Sequence, residues 1–371
     1  MKSKKIIAII LATATSLCLL TGCNSNKEDP VNTTVSTADP YDIDIYKSED
    51  LDKDGNPIRG KYQQTTDNNV EETTNIYHSE TIIHFIDVGQ ADCSLIQFPS
   101  GKNILIDGGN VKDGKDLVKY LKALNVPRID IMIATHPHED HIGGLIDVIN
   151  AFEVSQIYMP NIPEKYLPTT RVYENFLTAI VEKEIPVTNP KNDEVIFSGD
   201  GTLKCLYDGA LVTNDYNEYS LVVRMDYYNI SAMFTGDAGT SVEESIIYRL
   251  YKKTNNFFNF FDVKYIKEID IDILKVGHHG SSTSTSENWL RLLSPSHAII
   301  PCELNNEYGH PHDAVIQRLE NQGVTTYDMR ETGSVIIMTN GYDINVYENI
   351  TGDFPLGNEN YDDTLNFPFK P

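Results

Sequence analysis

Residues 129–144 read Ile129-Asp130-Ile131-Met132-Ile133-Ala134-Thr135-His136-Pro137-His138-Glu139-Asp140-His141-Ile142-Gly143-Gly144. The apolar run comes first and predicts a buried strand. Three histidines and two carboxylates follow it within six positions, and neutral imidazole and ionised carboxylate are ligands that zinc binds well. A solvated polar loop is the alternative interpretation. The spacing His-x-His-x-Asp-His between a strand and Gly-Gly favours a metal site, and with it a metal-dependent hydrolase.

The first 22 residues have the features of a secretory signal, with a lysine-rich start, an apolar run from Ile6 to Leu20 and small residues before Cys23. The segment Leu20-Thr21-Gly22-Cys23 resembles a bacterial lipobox. This resemblance implies cleavage before Cys23 and a lipid on its thiol, which would anchor the protein at the extracellular face of the cell membrane. Residues 23–78 are rich in Asn, Thr, Asp, Glu and Ser and predict a disordered tether.

Residues 79–346 alternate apolar runs with turn residues and predict one folded domain, whereas residues 347–371 predict an acidic tail. The chain has 30 basic and 54 acidic residues and a net charge of −24. Because the folded part is acidic as well, the charge argues against a broad, non-specific nucleic-acid groove. It does not exclude an anionic substrate, because bound metal ions would add positive charge inside the site.

The apolar patterns of the domain predict more strands than helices. Strands are expected near residues 81–88, 93–98, 103–107, 129–134, 156–159, 194–197, 203–207, 219–226, 230–235, 271–276, 297–301, 334–339 and 343–346. Helices are expected near residues 113–124, 145–152, 172–181, 242–250, 286–293 and 313–322. Helices at these intervals can cover the outer faces of two sheets. Cys93, Cys205 and Cys302 lie in apolar stretches and predict buried free thiols.

Two further motifs place chemically active side chains at the ends of predicted strands. The first is Phe234-Thr235-Gly236-Asp237-Ala238, and the second runs from Leu274 to Ser282 and contains His278-His279. Alone, Asp237 would be interpreted as a turn or helix-capping carboxylate and the histidines as a polar turn. Beside the first cluster, Asp237 and His279 become predicted ligands, and His278 is expected to line the substrate pocket.

Two other segments permit both a structural and a functional interpretation. The run Gly309-His310-Pro311-His312-Asp313 either supports the site or contacts phosphate, or it caps the helix that follows. Asp107, at another strand end, is the best candidate to accept a hydrogen bond from the distal N–H of a ligand histidine, although a plain turn also explains it.

The order of these motifs resembles the metallo-β-lactamase superfamily. More narrowly, it is similar to the hydrolase domain at the end of the ComEC competence proteins, and the opening His84-Phe85-Ile86-Asp87-Val88-Gly89-Gln90-Ala91-Asp92 fits that subgroup. The likeness covers about residues 82–346. It implies an α/β fold, the four-layer αββα sandwich, with a two-metal centre at one sheet edge that hydrolyses a phosphodiester or a similar bond.

The resemblance also implies a set of metal ligands. His136 and His138 would bind the first metal, Asp140, His141 and His279 the second, and Asp237 would bridge the two. The third histidine of true β-lactamases is absent, and Asn217-Glu218-Tyr219-Ser220-Leu221 resembles the Asn-x-x-Ser-Leu pattern of the subgroup instead. This departure disfavours β-lactam cleavage and leaves the first metal to be completed by Asn217 or water.

The predicted cofactors are two divalent ions, zinc in the first place and manganese as the alternative. Such ions, ~3.5–4 Å apart, lower the pKa of a shared water and stabilise developing negative charge. The predicted catalytic residues are Asp140, His278 and His312; the two histidines would orient the scissile group or protonate the leaving oxygen. The sequence contains neither a nucleophile-elbow serine nor a phosphate-binding loop that ends in Lys-Ser/Thr.

The leading functional hypothesis is a metal-dependent hydrolase of phosphoester bonds that acts outside the cell. Nucleic acid is the first substrate class, and phosphodiesters of the cell envelope, such as choline or teichoic-acid esters, are the second. One alternative is ester, lactone or β-lactam hydrolysis by the same centre, and another is a lipid-anchored binding protein without turnover. The sequence indicates no protein partner.

Overall fold

The computed structural model describes residues 80–211, 213–253 and 269–348. The predicted signal peptide, the lipid-bearing Cys23, the tether and residues 349–371 of the tail lie outside the described residues. Within the described ranges, no helix combines the length and the apolar character that crossing a bilayer requires.

The first sheet of the described chain is mixed and contains eight strands. They are β1 (Thr81–Phe85), β2 (Ser94–Gln97), β3 (Asn103–Ile106), β4 (Ile131–Ile133), β5 (Ile157–Tyr158), β6 (Val187–Thr188), β14 (Val335–Thr339) and β15 (Ile344–Glu348). Their spatial order is β15-β14-β1-β2-β3-β4-β5-β6. The pairs from β15 to β3 are antiparallel, and the pairs from β3 to β6 are parallel.

The second sheet has seven strands in the described chain and the same mixed character. They are β7 (Glu194–Ser198), β8 (Thr202–Tyr207), β9 (Val222–Tyr227), β10 (Ile230–Phe234), β11 (Ile273–Lys275), β12 (His297–Ile300) and β13 (Thr325–Asp328). They follow one another in spatial order from β13 to β7. The strands β10 to β13 run parallel, so that β10 and β11 end at the same edge.

Helices cover the outer face of each sheet. The described helices are α1 (Gly114–Ala123), α2 (Glu139–Ile142), α3 (Leu145–Ala151), α4 (Arg171–Glu182), α5 (Thr240–Lys253), α6 (Glu287–Leu293), α7 (Asp313–Asn321) and α8 (Met329–Thr332). The buried apolar residues form three layers: one between α1, α3, α4 and the first sheet, one between the sheets, and one between the second sheet and α5, α6 and α7.

Alternation along β10 shows how the sequence builds two of these layers. Ala232 and Phe234 belong to the core between the sheets, and Met233 belongs to the core under the outer helices, since successive side chains of a strand point to opposite faces. Phe234 stacks on Phe85 of the first sheet, with ring centroids 5.9 Å apart. The predicted four-layer αββα sandwich is confirmed.

The structure differs from the sequence prediction at several short elements. Tyr216–Tyr219 forms a turn of 3₁₀ helix, with the Asp215 side chain accepting from the Asn217 N–H, and the strand predicted from residue 219 begins at Val222. The strands β6 and β13 were not expected, since a two-residue strand has no period to recognise and β13 is largely polar. The strand β15 includes Tyr347 and Glu348, which the sequence analysis assigns to the tail. The predicted buried free thiols Cys93, Cys205 and Cys302 are confirmed.

His84 on β1 is a buried histidine that is not one of the predicted site residues. Its Nδ1 lies 2.6 Å from the Tyr120 hydroxyl, and its Nε2 lies 3.1 Å from Gln97 Oε1. Burial lowers the pKa of His84 from 6.5 to about 4, although the hydrogen bond with Gln97 opposes this shift. The imidazole is therefore neutral in the folded protein at neutral pH.

The substitution His84→Gln is expected to remove a pH-dependent part of the stability. Between pH 6.5 and about 4 the unfolded chain protonates this histidine and the folded chain does not, so the free energy of unfolding falls as the pH is lowered. From pH 7 to pH 4 the wild type should lose about 3 kcal/mol more than the variant. Urea unfolding across this range measures the difference, and parallel curves for the two proteins would contradict the assignment.

Candidate metal centre

The predicted site residues follow four strands that end at one edge of the sandwich. His136 to His141 follow β4, and Asp107 follows β3, its parallel neighbour in the first sheet. Asp237 follows β10, and His278 and His279 follow β11 in the second sheet. Ends of parallel strands are rigid supports for a site, since their backbone is held by sheet hydrogen bonds. The fold therefore brings distant segments of the sequence together.

Asp237 lies at the centre of this cluster and is 2% exposed. Its Oδ1 is 3.3 Å from His141 Nε2 and 3.6 Å from His279 Nε2. Its Oδ2 is 3.8 Å from His136 Nε2, which in turn lies 2.9 Å from His138 Nδ1. The two carboxylate oxygens thus face two different sets of imidazoles.

All six predicted metal ligands fall into two groups that share Asp237. The first group is His136, His138 and Asp237, and the second group is Asp140, His141, Asp237 and His279. Within each group, the atoms able to bind a metal lie within 4.8 Å of one another. Asp140 Oδ2 completes the second group at 3.4 Å from His279 Nε2.

Buried atoms without partners show that the second group fits a divalent ion, and the first group offers the same types of ligand. His141 Nε2, His279 Nε2 and Asp237 Oδ1 are buried and make no hydrogen bond to the described residues. Leaving such atoms unsatisfied costs about 1–3 kcal/mol each. All three belong to the second group, and imidazole and carboxylate are suitable ligands for zinc or manganese. The donor set therefore fits a dinuclear metal site.

The charges of the cluster point the same way. Burial lowers the pKa of His141 and His279, but the neighbouring carboxylates outweigh it: Asp237 and Asp107 hold the pKa of His141 well above its ordinary value, and Asp237 and Asp92 raise the pKa of His279 to about 10. The carboxylates thus need positive charge beside them. Metal ions provide that charge when they bind in place of the protons.

Residues 86–302 match the family model of the metallo-beta-lactamase superfamily, which is more than half of the chain. The chain belongs to this superfamily. It is 28% identical over 274 residues to ComE operon protein 3 of Bacillus subtilis, and the aligned region covers 69% of this chain and 33% of that protein. It is 28% identical over 264 residues to Recombination protein 2 of Haemophilus influenzae (67% and 28%) and 26% identical over 248 residues to Competence protein ComA of Neisseria gonorrhoeae (66% and 30%). The match spans a third or less of each relative.

The metallo-beta-lactamase motif depends on a close approach of two glycine-containing loops. Gly108 N–H donates to the His141 carbonyl at 2.8 Å, and Gly144 N–H donates to the Gly109 carbonyl at 3.0 Å. A Cβ on Gly144 would lie 2.0 Å from the Gly108 carbonyl oxygen. Glycine is therefore required at residue 144, and the contact fixes the helical turn that carries Asp140 and His141 against the loop that carries Asp107.

His278 and His279 both adopt the left-handed backbone conformation, with φ of 48° and 52°. Residues other than glycine pay about 1–3 kcal/mol for such a conformation, so the surrounding structure has to hold it in place. Here it directs His279 Nε2 to Asp237 and lets His279 Nδ1 donate to the Pro301 carbonyl at 2.9 Å.

Asp107 supports His141. Its Oδ2 accepts from His141 Nδ1 at 2.8 Å, and its Oδ1 accepts from the Thr135 N–H at 2.8 Å. The bond fixes the proton of His141 on Nδ1 and directs Nε2 to the second group. Of the two interpretations of Asp107, the structure shows the hydrogen bond, and its donor is the candidate ligand His141.

His278 lies beside the first group. Its Nε2 is 3.8 Å from Asp237 Oδ2 and 3.3 Å from the Asn217 amide nitrogen, and its Nδ1 is 3.2 Å from Thr283 Oγ1. Burial lowers the pKa of His278, although Asp237 opposes this. The Oδ1 atom of Asn217 is buried and has no hydrogen-bond partner among the described residues. Asn217 therefore lies beside His278, and its completion of the first group stays a prediction.

Of the two histidines in the Gly309 to Asp313 segment, His310 lies nearer the candidate ligands. Its ring centroid is 6.3 Å from that of His279 and 5.7 Å from that of His278. The His312 ring packs on His310, and its Nδ1 accepts from the Ser282 N–H at 2.8 Å. His312 occupies the cap position of α7 but its side chain does not cap the helix. The sequence predicts a catalytic role for His312 and none specifically for His310.

Lys275 also has no role predicted from the sequence, although it lies in the motif from Leu274 to Ser282. Lys275 is 3% exposed and is the last residue of β11. One feature of the sequence could have identified it: a lysine within a predicted buried strand, immediately before the Val-Gly-His-His segment. A buried ammonium needs an anionic partner, so such a lysine predicts a nearby carboxylate.

The substitution Asp107→Asn is expected to weaken the binding of divalent ions by about 10–100-fold, the usual effect of losing the carboxylate behind a ligand histidine. The wild type should hold two ions per chain, as measured by elemental analysis after dialysis, and calorimetric titration with Mn²⁺ compares the affinities. Asp116→Asn, on the exposed face of α1, is the matched control. Equal affinities for Asp107→Asn and the wild type would rule out this role of Asp107.

Proposed function

We propose that the protein is a metal-dependent hydrolase of phosphoester bonds, with phosphodiesters as its preferred class. The observation that carries the proposal is the Asp237 carboxylate, whose two oxygens face two separate ligand groups. A bridged pair of ions is suited to in-line displacement at phosphorus, because it can stabilise both the attacking and the leaving oxygen.

When bound, the two ions supply a water of lowered pKa and positive charge for the transition state. The protein residues hold and orient the groups around them. Burial raises the pKa of Asp140, but His141 and His279 outweigh this effect and hold the pKa below its usual range. Asp140 therefore acts as an anionic ligand and does not donate a proton at neutral pH.

His278 and His312 are proposed to bind and orient the phosphoryl group. Because His312 Nδ1 accepts from the Ser282 N–H, the neutral ring carries its proton on Nε2 and can donate to a substrate oxygen. The hydroxyl of Thr283 lies beside His278. Such neutral donors match the non-bridging oxygens of a phosphodiester.

The absent third histidine supports phosphoester over β-lactam hydrolysis. The first group contains two imidazoles and Asp237, and the neighbouring Asn217 offers an amide in place of the third imidazole of true β-lactamases. A first group with fewer protein ligands leaves more coordination positions for substrate oxygens.

Nucleic acid is the first substrate class to test, because two of the relatives are named Recombination protein 2 and Competence protein ComA. Phosphodiesters of the cell envelope are the second class. The membrane attachment through a lipid on Cys23, at the outer face of the membrane, remains a prediction of the sequence.

The substitutions Asp140→Ala and Asp237→Ala are expected to reduce turnover by more than about 100-fold, because each removes a proposed ligand, and losing only a group that hydrogen-bonds to a ligand already costs roughly 10–100-fold in metal-dependent activity. Activity is measured with zinc-loaded and manganese-loaded protein on DNA, RNA and bis-p-nitrophenyl phosphate. Asp116→Ala, an exposed carboxylate on α1, is the control and should match the wild type. Turnover of nitrocefin or a lactone by the wild type, with none of the phosphodiesters cleaved, would overturn the proposal.

The substitution His312→Asn separates the two hydrogen bonds of this side chain. The asparagine oxygen can still accept from the Ser282 N–H, but the Nε2 donor is lost. If that donor binds the substrate, kcat/KM for a cleaved phosphodiester should fall about 10–100-fold, the effect expected for a hydrogen bond to a charged group. Metal content and thermal stability should stay unchanged. An unaltered kcat/KM would show that His312 serves only to hold the Ser282 loop.

A further inference from the structure

A buried ion pair lies directly behind the second ligand group. The Lys275 ammonium contacts the Asp92 carboxylate, and the two side chains are 3% and 6% exposed. Lys275 Nζ also donates to the Gly236 carbonyl at 2.8 Å. Burying two charges costs several kcal/mol per ion, so a pair at this position needs a reason beyond stability.

Asp92 is close to the distal nitrogens of two candidate ligands. Its Oδ1 lies 3.4 Å from His279 Nδ1, and its Oδ2 lies 3.8 Å from His141 Nδ1. Each of these nitrogens already has a shorter partner, the Pro301 carbonyl for His279 and Asp107 for His141. Asp92 is therefore a competing acceptor for both rings.

Asp92 also belongs to a third cluster of potential ligands. Asp92, Asp107 and His141 place one ligand atom each within 4.8 Å of one another. A cation bound by this cluster would replace the proton on His141 Nδ1 and so break the hydrogen bond between this nitrogen and Asp107. The Lys275 ammonium, in contact with Asp92, already supplies positive charge at this point.

We propose that Lys275 is a positioning residue for the second metal. By pairing with Asp92, it prevents this carboxylate from competing for the Nδ1–H groups of His141 and His279, so that both rings keep their Nε2 atoms directed at Asp237. The inference concerns metal binding, and it holds whether the substrate is a phosphoester or another class.

A second contact of Lys275 acts on Asp237 itself. The Gly236 carbonyl accepts from Lys275 Nζ and from the His278 N–H, which lies 3.1 Å away. Gly236 adopts a φ of 49° and directly precedes Asp237. The two bonds hold the turn that presents the carboxylate to both groups. Lys275 thus connects Asp92, Asp237 and the loop of His278.

The test is a double-mutant cycle on the full-length protein, titrated with Mn²⁺ by calorimetry. Lys275→Met leaves Asp92 unpaired and should weaken the second ion by about 10–100-fold, as losses behind metal ligands do. The first ion, at His136 and His138, should lose less affinity, because the His278 N–H still holds the Gly236 carbonyl before Asp237. The double substitution Asp92→Asn with Lys275→Met removes both charges and should restore most of the affinity for the second ion.

The rescue distinguishes positioning from general structural support. A residue that only fills space would leave the double variant at least as defective as Lys275→Met. Lys102→Met is the matched control, since Lys102 pairs with Asp130 at the opposite end of β4, and it should bind both ions like the wild type.

Two results would overturn the proposal. One is wild-type affinity of Lys275→Met for both ions, and the other is a double variant that binds the second ion no better than Lys275→Met. If Lys275→Met does not fold, Asp92→Asn alone is the reference: because Lys275 acts through Asp92, the double variant should bind the second ion about as tightly as Asp92→Asn, and a double variant that binds it about 10-fold or more weakly overturns the proposal equally. A wild type without metal would instead contradict the metal centre and the proposed function.

Discussion

The site depends on the contacts of the Asp237 carboxylate, because they join the two halves of the sandwich. The candidate ligands of the His136 to His141 segment follow a strand of the first sheet, and Asp237 and His279 follow strands of the second. The apolar core between the sheets sets their separation, and the two oxygens of Asp237 then face one imidazole group each. Bound metal ions would therefore connect the sheets at this edge as well as carry the chemistry.

Holding this arrangement is costly, and the rest of the fold offsets the cost. Asp107, His278 and His279 adopt positive φ values, at about 1–3 kcal/mol each, and several buried ligand atoms have no partner in the described chain. Three apolar layers hold the strands whose ends carry these residues. The three apolar layers thus supply the stability, and they compensate for the backbone strain and the buried charge at this edge of the sandwich, as is common at functional sites.

The sequence predicts the parts of the site that are local along the chain. The strand before His136, the turn after Phe234 and the Gly-Gly pairs each have a recognisable pattern, and the family resemblance supplies their convergence. The contacts of Lys275 with Asp92 and of His310 with His279 were not predicted. They join residues far apart in the chain, and they depend on strand register and on a turn conformation that a single sequence does not specify. The same holds for β6 and β13, which are defined by their partners.

The charge of the centre is compatible with the anionic substrate proposed for this acidic protein. Four carboxylates surround the site, those of Asp92, Asp107, Asp140 and Asp237. Two divalent ions, if bound, together with the Lys275 ammonium would exceed them by one positive charge when the histidines are neutral and the metal-held water is not yet deprotonated. A single phosphodiester group, with one negative charge, complements this excess, while the net charge of −24 on the whole chain repels a long polyanion. The electrostatics therefore favour a substrate that presents one phosphodiester to the metals and little charge to the surrounding surface, such as a chain end or a small ester.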